Sequence, residues 1–311
     1  MYPPHVLARI MAENIRKSGT PLGIPALKLN TWWSGESRES DTMLFTGLMY
    51  QMVPYIAKLT RIMLRFEGRI IERFISAFSS FSAFRFLRVD ERDVQYFNSL
   101  LIKISELLHD SGIDYFYDSE LDHYSGVLLY EIGDDRGFAD HASLVAEKLS
   151  DYGVRKVITV DPHTTYALKV LYPQFTGIRF EVKSYLELLR LGEGEESGDE
   201  KSWKVTIHEP CYYARHLEMS DVLRNALQRS GIECVNIRNS GRLTSCCGGP
   251  VESISPKLSL EISRNRYYEL KSTGCDVVTA CPICLGNFRG FGEVKDVTEV
   301  LWERRKGHDR S

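Results

Sequence analysis

The first 210 of the chain's 311 residues contain no cysteine; all seven fall in the remaining third, at positions 211, 234, 246, 247, 275, 281 and 284. Thiol chemistry is thereby confined to the end of the chain. An odd count with an adjacent pair and a Cys-x-x-Cys argues against an extracellular disulfide scaffold and for a reducing, cytoplasmic compartment. A basic excess is also lacking: 39 Lys+Arg stand against 42 Asp+Glu, and a net charge of -3 argues against a general nucleic-acid binder. No apolar run approaches the ~18–20 residues that span a bilayer. The start, Met1-Tyr2-Pro3-Pro4 and then Arg9, lacks the charged-then-apolar order of a signal peptide. No Gly-rich phosphate loop, Ser-His-Asp ordering or zinc-protease pattern is found, so hydrolase readings have no support. What is there is a folded composition, 43% hydrophobic, with length for about two domains.

The acidic, Gly-rich stretch Gly192–Glu200 has no apolar anchor and reads as a solvated linker over 192–201, or as a long surface loop. After it, Trp203–His208 alternates like a strand and runs into Glu209-Pro210-Cys211. A helix is expected over Ser220–Ser230 with Gly231 as its stop, then a second strand from Cys234 to Ile237. The turn Cys246-Cys247-Gly248-Gly249-Pro250 precedes a helix over Lys257–Ser272 ended by Gly274. The strand Asp276–Ala280 then delivers Cys281-Pro282-Ile283-Cys284. Strands alternating with helices at this spacing predict an α/β protein with an open sheet.

A faint repeat suggests two related halves. Gly153–Pro162, with core Val-Ile-Thr-Val-Asp-Pro, can be laid over Gly274–Pro282, with core Val-Val-Thr-Ala-Cys-Pro. Val127–Gly133 reads as a strand ending in a glycine turn, where the second half has Cys246-Cys247-Gly248, and a helix His141–Tyr152 parallels Lys257–Ser272. Buried parallel strands look alike, so the match has chance as its rival explanation.

Five cysteines, Cys211, Cys246, Cys247, Cys281 and Cys284, sit where loops after parallel strands converge at one edge of an open sheet. Gly248 and Gly249 can both take positive φ and fold the chain so that adjacent sulfurs face one site. Pro282 suits the first turn of a helix, which puts Cys281 and Cys284 at a helix N-terminus, where amides favour thiolate. Structural zinc takes four ligands and has no use for a fifth, whereas iron–sulfur clusters are thiolate-bound. Ligand softness and count favour an iron–sulfur cluster over zinc or a metal-free dithiol switch. Cys234 and Cys275 read as small apolar residues at strand edges.

Together, His208-Glu209-Pro210-Cys211, Cys246-Cys247-Gly248-Gly249-Pro250 and Cys281-Pro282-Ile283-Cys284 resemble the cysteine-rich CCG domain. That domain occurs in one of the subunits of heterodisulfide reductase and in its membrane-bound counterpart. It also occurs in iron–sulfur subunits of glycolate and lactate oxidation systems and in some succinate dehydrogenases. The gap from Cys247 to Cys281 is a few residues shorter than usual, as for a trimmed helix or loop. The resemblance implies that these five cysteines hold a 4Fe–4S cluster, with the noncubane form as one option. The family usually carries two such motifs. Laid on the first half, Leu48 falls where the first cysteine belongs, Glu131-Ile132-Gly133 on Cys-Cys-Gly, and Asp161-Pro162-His163-Thr164 on Cys-Pro-x-Cys. The fold implied is a duplicated cysteine-rich domain: a degenerate first half over 41–191, with a helical insertion near 55–110, and an iron–sulfur half over 202–311. Glu131, Asp161 and His163 are spaced for a hard metal, though a decayed site kept as scaffold is the plainer reading. Residues 1–40, through Asn14–Pro25 and Trp32-Trp33, resemble the connector after a ferredoxin domain in fused members, which implies a separate ferredoxin-like partner subunit.

Within the insertion, Lys58, Arg61, Arg65, Arg69 and Arg73 recur at helical spacing beside Ile62, Phe66, Ile70 and Phe74. Such a basic amphipathic helix can dock a partner, lie peripherally on an anionic membrane face, or simply be solvated. His208 and His216 flank Cys211, and either can tune a cluster by hydrogen bonding to sulfur, although a backbone-satisfied role is the plainer one for His216. The leading expectation is an iron–sulfur electron-transfer subunit of a heterodisulfide reductase-like oxidoreductase. It either acts on a disulfide or relays electrons to a partner, with a zinc-binding scaffold and a thiol redox sensor as the alternatives.

Overall fold

A computed structural model of the chain describes residues 1–35, 40–68, 87–191 and 203–308. Among them, seven short strands form two separate sheets. The first contains β1 (Thr42–Phe45), β2 (Lys156–Thr159) and β3 (Glu181–Ser184) in the order β1-β2-β3. The second contains β4 (Lys204–His208), β5 (Glu233–Val235), β6 (Asp276–Thr279) and β7 (Val294–Asp296) in the order β5-β4-β6-β7. Every pairing is parallel. The α/β class expected from the sequence is therefore found, with two parallel sheets. On the outer side of β1, Phe116 makes an isolated parallel bridge: its N–H donates to the Thr42 carbonyl and its carbonyl accepts from Leu44 N–H, both at 2.9 Å. This residue stands beside β1 where β5 stands beside β4.

The helices among the described residues include α1 (Pro4–Ser18), α2 (Met49–Phe66), α3 (Glu91–Asp110), α4 (Val127–Glu131), α5 (Asp135–Asp151), α6 (Pro162–Tyr166), α7 (Asp221–Arg229), α8 (Pro256–Lys271), α9 (Pro282–Phe288) and α10 (Val297–His308). Helices α7, α8 and α9 fall where capping and glycine signals put them. Ser255 caps α8 by accepting from Leu258 N–H, and left-handed Gly231 and Gly274 follow α7 and α8. The described part of the insertion is helical, in α2 and α3; residues 69–86, with Arg69 and Arg73, and residues 192–202, with the linker expected at 192–201, lie outside the described residues.

Two expectations are corrected. Val127–Gly133 is not a strand: Val127–Glu131 forms α4, one helical turn entered through left-handed Gly126 and left through left-handed Gly133. A short apolar run carries no period that separates strand from buried helix, and here the two flanking glycines decide it. The helix expected from His141 begins earlier, at Asp135, because Asp134 caps it by accepting from Gly137 N–H at 3.0 Å.

Both faces of the first sheet are covered, so its strands are apolar on successive residues. Met43, Phe45 and Val157 enter one core, while Leu44 and Ile158 enter another. That second core also takes in Val205, Ile207, Val277, Val278 and Leu285 of the second sheet and its helices, which makes it continuous across the halves. Polar contacts cross the same junction. Tyr50 Oη donates to Asp296 at 2.9 Å, and hydroxyl pairs join Tyr185 to Thr298 and Ser184 to Tyr213. Close approach of α2 to α9 relies on Gly286, where a Cβ would lie 2.8 Å from Val53.

Candidate metal centre

Three loops bring the cysteines together. After β4, Glu209-Pro210 leads to Cys211, which opens a wide helical turn, Tyr212–His216. Glu209 is buried yet paired: Arg224 donates to its carboxylate at 2.9 Å, and Thr244 Oγ1 donates to its carbonyl at 3.0 Å. After β6, Cys281 adopts an extended backbone as the residue preceding α9, Pro282 is the first helical residue, and Cys284 follows in the first turn. The third loop is the Cys246-Cys247 turn. Gly248 takes φ 92°, whereas Gly249 does not share the left-handed conformation the sequence allowed it. The turn is fastened to α8 and α9. Ser263 Oγ donates to the Cys247 carbonyl at 2.6 Å, Ser259 Oγ to the Gly248 carbonyl at 2.9 Å, and Asn287 to the Cys247 carbonyl at 3.3 Å.

Cys247 lies near Cys246 and Cys284, and Cys284 near Cys281, close enough for each to influence the other's ionisation. Cys211 lies close enough to feel Cys246, Cys247 and Cys281 electrostatically. Cys247, Cys281 and Cys284 are buried, Cys211 and Cys246 half-buried, and all seven cysteines are free thiols. The donor atoms of His208, Cys247 and Cys284 lie within 4.8 Å of one another. Cys234 and Cys275 stay apart from them, each with its sulfur within reach of a nearby carbonyl.

Charge is unevenly distributed over this group. Hydrogen bonds from Cys246 and Cys284, with His208 adding to them, hold Cys247 well below the usual thiol range in spite of burial. Cys246 is raised correspondingly by its bond to Cys247, and Cys284 by burial and its bonds to Cys247 and Cys281. Burial opposes ionisation of Cys281, but Cys284 and His163 together bring it down to about 7. Cys211 is pushed up by burial. Five sulfurs, with Cys247 the readiest of them to ionise, make a soft donor set suited to iron–sulfur or zinc binding rather than to hard cations.

Sequence reasoning singled out His208 but missed what orients it. Arg266 is fully buried, and its Nε donates to His208 Nδ1 at 3.2 Å. Because guanidinium cannot accept, the Nδ1 carries the lone pair and the neutral ring presents Nε2–H to Cys247. Arg266 is itself held by Glu269 at 2.7 Å and Thr244 at 3.2 Å. The helical position of Arg266 on α8 gave no sign of this role.

The first half also reaches the site. Asp161 caps α6, accepting from His163 N–H at 2.9 Å and Thr164 N–H at 3.1 Å. His163 Nδ1 lies 3.4 Å from Asp161 Oδ1 and 3.9 Å from Cys281 Sγ. Glu131, on α4, accepts a hydrogen bond from Tyr212 beside Cys211. The rings of His163, Tyr166, Tyr212 and His216 pack against one another, with Tyr212 and His216 stacked at 4.7 Å between centroids. Glu131, Asp161 and His163 thus make no common metal cluster among the described residues. At the positions that the repeat lays over cysteines, Leu48 is buried, and Asp161 Oδ2 and Thr164 Oγ1 are buried without hydrogen-bond partners.

Residues 205–289, the span that contains all five clustered thiols, match the family model of the cysteine-rich CCG domain. The chain is also similar to iron–sulfur proteins of oxidoreductase systems. It is 28% identical to EtfAB:quinone oxidoreductase of Syntrophomonas wolfei over 219 residues, 63% of this chain and 30% of that protein. It is 28% identical to a subunit of the dihydromethanophenazine:CoB–CoM heterodisulfide reductase of Methanosarcina mazei over 245 residues, 69% of this chain and 59% of that polypeptide. A probable iron-sulfur-binding oxidoreductase of Bacillus subtilis is 25% identical over 195 residues, 60% of this chain and 27% of its own length. The chain therefore spans between under a third and about three fifths of the relatives it matches. The CCG domain and these relatives imply an iron–sulfur cluster. No described helix is long and apolar enough to cross a membrane.

Proposed function

We propose that this chain is an electron-transfer subunit of a multisubunit, heterodisulfide reductase-like oxidoreductase, with a 4Fe–4S cluster, in the noncubane form, held by Cys211, Cys246, Cys247, Cys281 and Cys284. One observation carries the reading: five thiols from three loops gather at the carboxyl ends of β4 and β6, three of them buried, with the donor atoms of Cys247, Cys284 and His208 within 4.8 Å of one another. The vicinal pair supplies one thiol beyond the four a cubane needs. When bound, such a cluster accepts and returns single electrons. The protein's own contribution is to keep water out, through Tyr212 and His163 on one side and Phe288 against His208 on the other. It also presents the His208 Nε2–H to Cys247 in a fixed orientation, an arrangement that tunes a metal through its sulfur ligands.

The two halves are proposed to descend from a duplicated domain. Supporting this are the alike strand orders, the Pro-led helices α6 and α9 after β2 and β6, and the helices that follow β1 and β4. The first 210 residues hold no cysteine, and this favours relay over a disulfide cleavage that uses two clusters. A ferredoxin-like subunit is the proposed donor. Lys58, Arg61 and Arg65 are exposed along α2 and form the proposed face for docking it, or for peripheral contact with the cytoplasmic side of a membrane.

Anaerobic purification with iron, acid-labile sulfide and zinc analysis, followed by EPR of the oxidised and reduced protein, tests the reading. Stoichiometric iron and sulfide with a cluster signal supports it. Colourless protein with one zinc and no sulfide replaces it with the scaffold reading, and metal-free protein that cycles a disulfide replaces it with the thiol sensor.

A further inference from the structure

We propose that His163, contributed by the half without thiols and held by Asp161, donates its Nδ1–H to the Cys281 sulfur and so raises the reduction potential of the cluster held by the other half. The inference rests on the function proposed above.

The geometry is specific. His163 Nδ1 faces two acceptors, Asp161 Oδ1 at 3.4 Å and Cys281 Sγ at 3.9 Å. Once Cys281 ligates metal it has no proton to give, so the hydrogen between ring and sulfur must belong to Nδ1. The ring is nearly buried, with 15% of its side chain exposed, and Asp161 is fully buried. The carboxylate cannot swing away, because it accepts two α6 amides while orienting the ring. The His163 ring also packs on Tyr212 at 4.5 Å between centroids. Carboxylate and sulfur thus flank the same ring nitrogen at the junction of the two halves: the two acceptors together keep the hydrogen on Nδ1, and that single hydrogen serves the ligating sulfur. An N–H directed at a ligating sulfur stabilises the state with more negative charge on the cluster. Hydrogen bonds to sulfur are among the levers that set such potentials.

His208 does the same for Cys247 from within the second half. The two histidines therefore address different sulfurs, one from each half. In the first half, the position that the repeat lays over Cys281 delivers Asp161, whose role is to hold the neighbouring histidine.

The test is a spectroelectrochemical redox titration of the anaerobically purified holoprotein, wild type against His163→Phe, His163→Gln and Asp161→Asn. Phe keeps the packing on Tyr212 and removes the donor; Gln restores an N–H; Asn keeps the helix cap and removes the orienting charge. Loss of one such hydrogen bond is worth about tenfold in the one-electron equilibrium constant, equivalent to 59 mV. The expected result is a lower midpoint for His163→Phe by that amount, an intermediate value for His163→Gln, and a smaller fall for Asp161→Asn. Unchanged midpoints in loaded His163→Phe overturn the proposal. Should His163→Phe fail to load, the other two variants decide by the same criterion, and loss of iron from all three overturns it, since a hydrogen-bond donor is not needed to retain metal. Wild-type protein without iron and sulfide defeats instead the function on which the proposal rests.

Discussion

Gly248→Ala is expected to loosen the metal-binding turn far more than Gly249→Ala, although the two glycines are adjacent. Gly248 sits at φ 92°, a conformation costing an L-residue about 1–2 kcal/mol. A Cβ there would lie 2.6 Å from the Ser259 carbonyl and 2.8 Å from Ser263 Oγ, and the first of these is helix backbone that cannot turn aside. Relief requires the turn to back away from α8. That weakens the bonds from Ser263 to the Cys247 carbonyl and from Ser259 to the Gly248 carbonyl, each worth about 1 kcal/mol. The combined destabilisation is about 3–4 kcal/mol. At Gly249 the nearest atom to a new Cβ is Ile283 Cγ2 at 2.9 Å, the tip of a side chain that can rotate, so the cost is under about 1.5 kcal/mol. Urea unfolding of the reduced, metal-free proteins under anaerobic conditions isolates this backbone effect from cluster binding. Iron content per chain then reports whether the turn still presents both thiols. A Gly248→Ala protein within about 1 kcal/mol of wild type, or a Gly249→Ala protein equally destabilised, would refute the reasoning.

Three further outcomes are expected. Cys247→Ala abolishes or reshapes the cluster's EPR signal, while Cys234→Ala leaves it intact; equal effects would contradict the ligand assignment. Arg266→Met removes the donor to His208 Nδ1 and costs about 2–3 kcal/mol. In the wild type, 15N NMR should show His208 as the Nε2–H tautomer, and an Nδ1–H tautomer would contradict the arrangement. Asp122 accepts from Thr46, Gly47 and Tyr117 in a fully buried pocket, and burial raises its carboxyl from 3.8 to about 6. A raised acid stabilises the fold fully below its unfolded pKa, and that stability is lost as pH rises through the folded one. Between pH 4 and 7 the wild type should therefore lose about 2–2.5 kcal/mol relative to Asp122→Asn in paired urea titrations. Parallel curves for the two proteins would rule this out.

The loops that carry the five cysteines were legible because their signals are local. Each thiol stands next to a strand end, a glycine turn or a helix-starting proline, so short windows of sequence place it. The α/β class was legible for the same reason. Contacts made across the fold were not. Nothing near His163 marks it as a neighbour of Cys281, 118 positions away, and Arg266 looks like any charged residue of an amphipathic helix. Asp122 gathers hydrogen bonds from Thr46 and Gly47, 76 and 75 positions earlier, which no pattern around it announces. Helix α4 was misread because Val127–Tyr130 is too short for periodicity. There the signal lay in the backbone freedom of Gly126 and Gly133 rather than in the apolar residues themselves.

The apolar core that runs from Leu44 and Ile158 through Val205 and Val278 to Leu301 has a consequence for how the chain can change. A domain without chemistry of its own is ordinarily free to be trimmed away. Here the thiol-free sheet walls the same interior that Cys247, Cys281 and Cys284 line. Deleting it would expose that wall to water and take the thiols' shelter with it. Selection on the sulfurs therefore reaches residues such as Tyr185 and Leu186, which guard the interior from the other half.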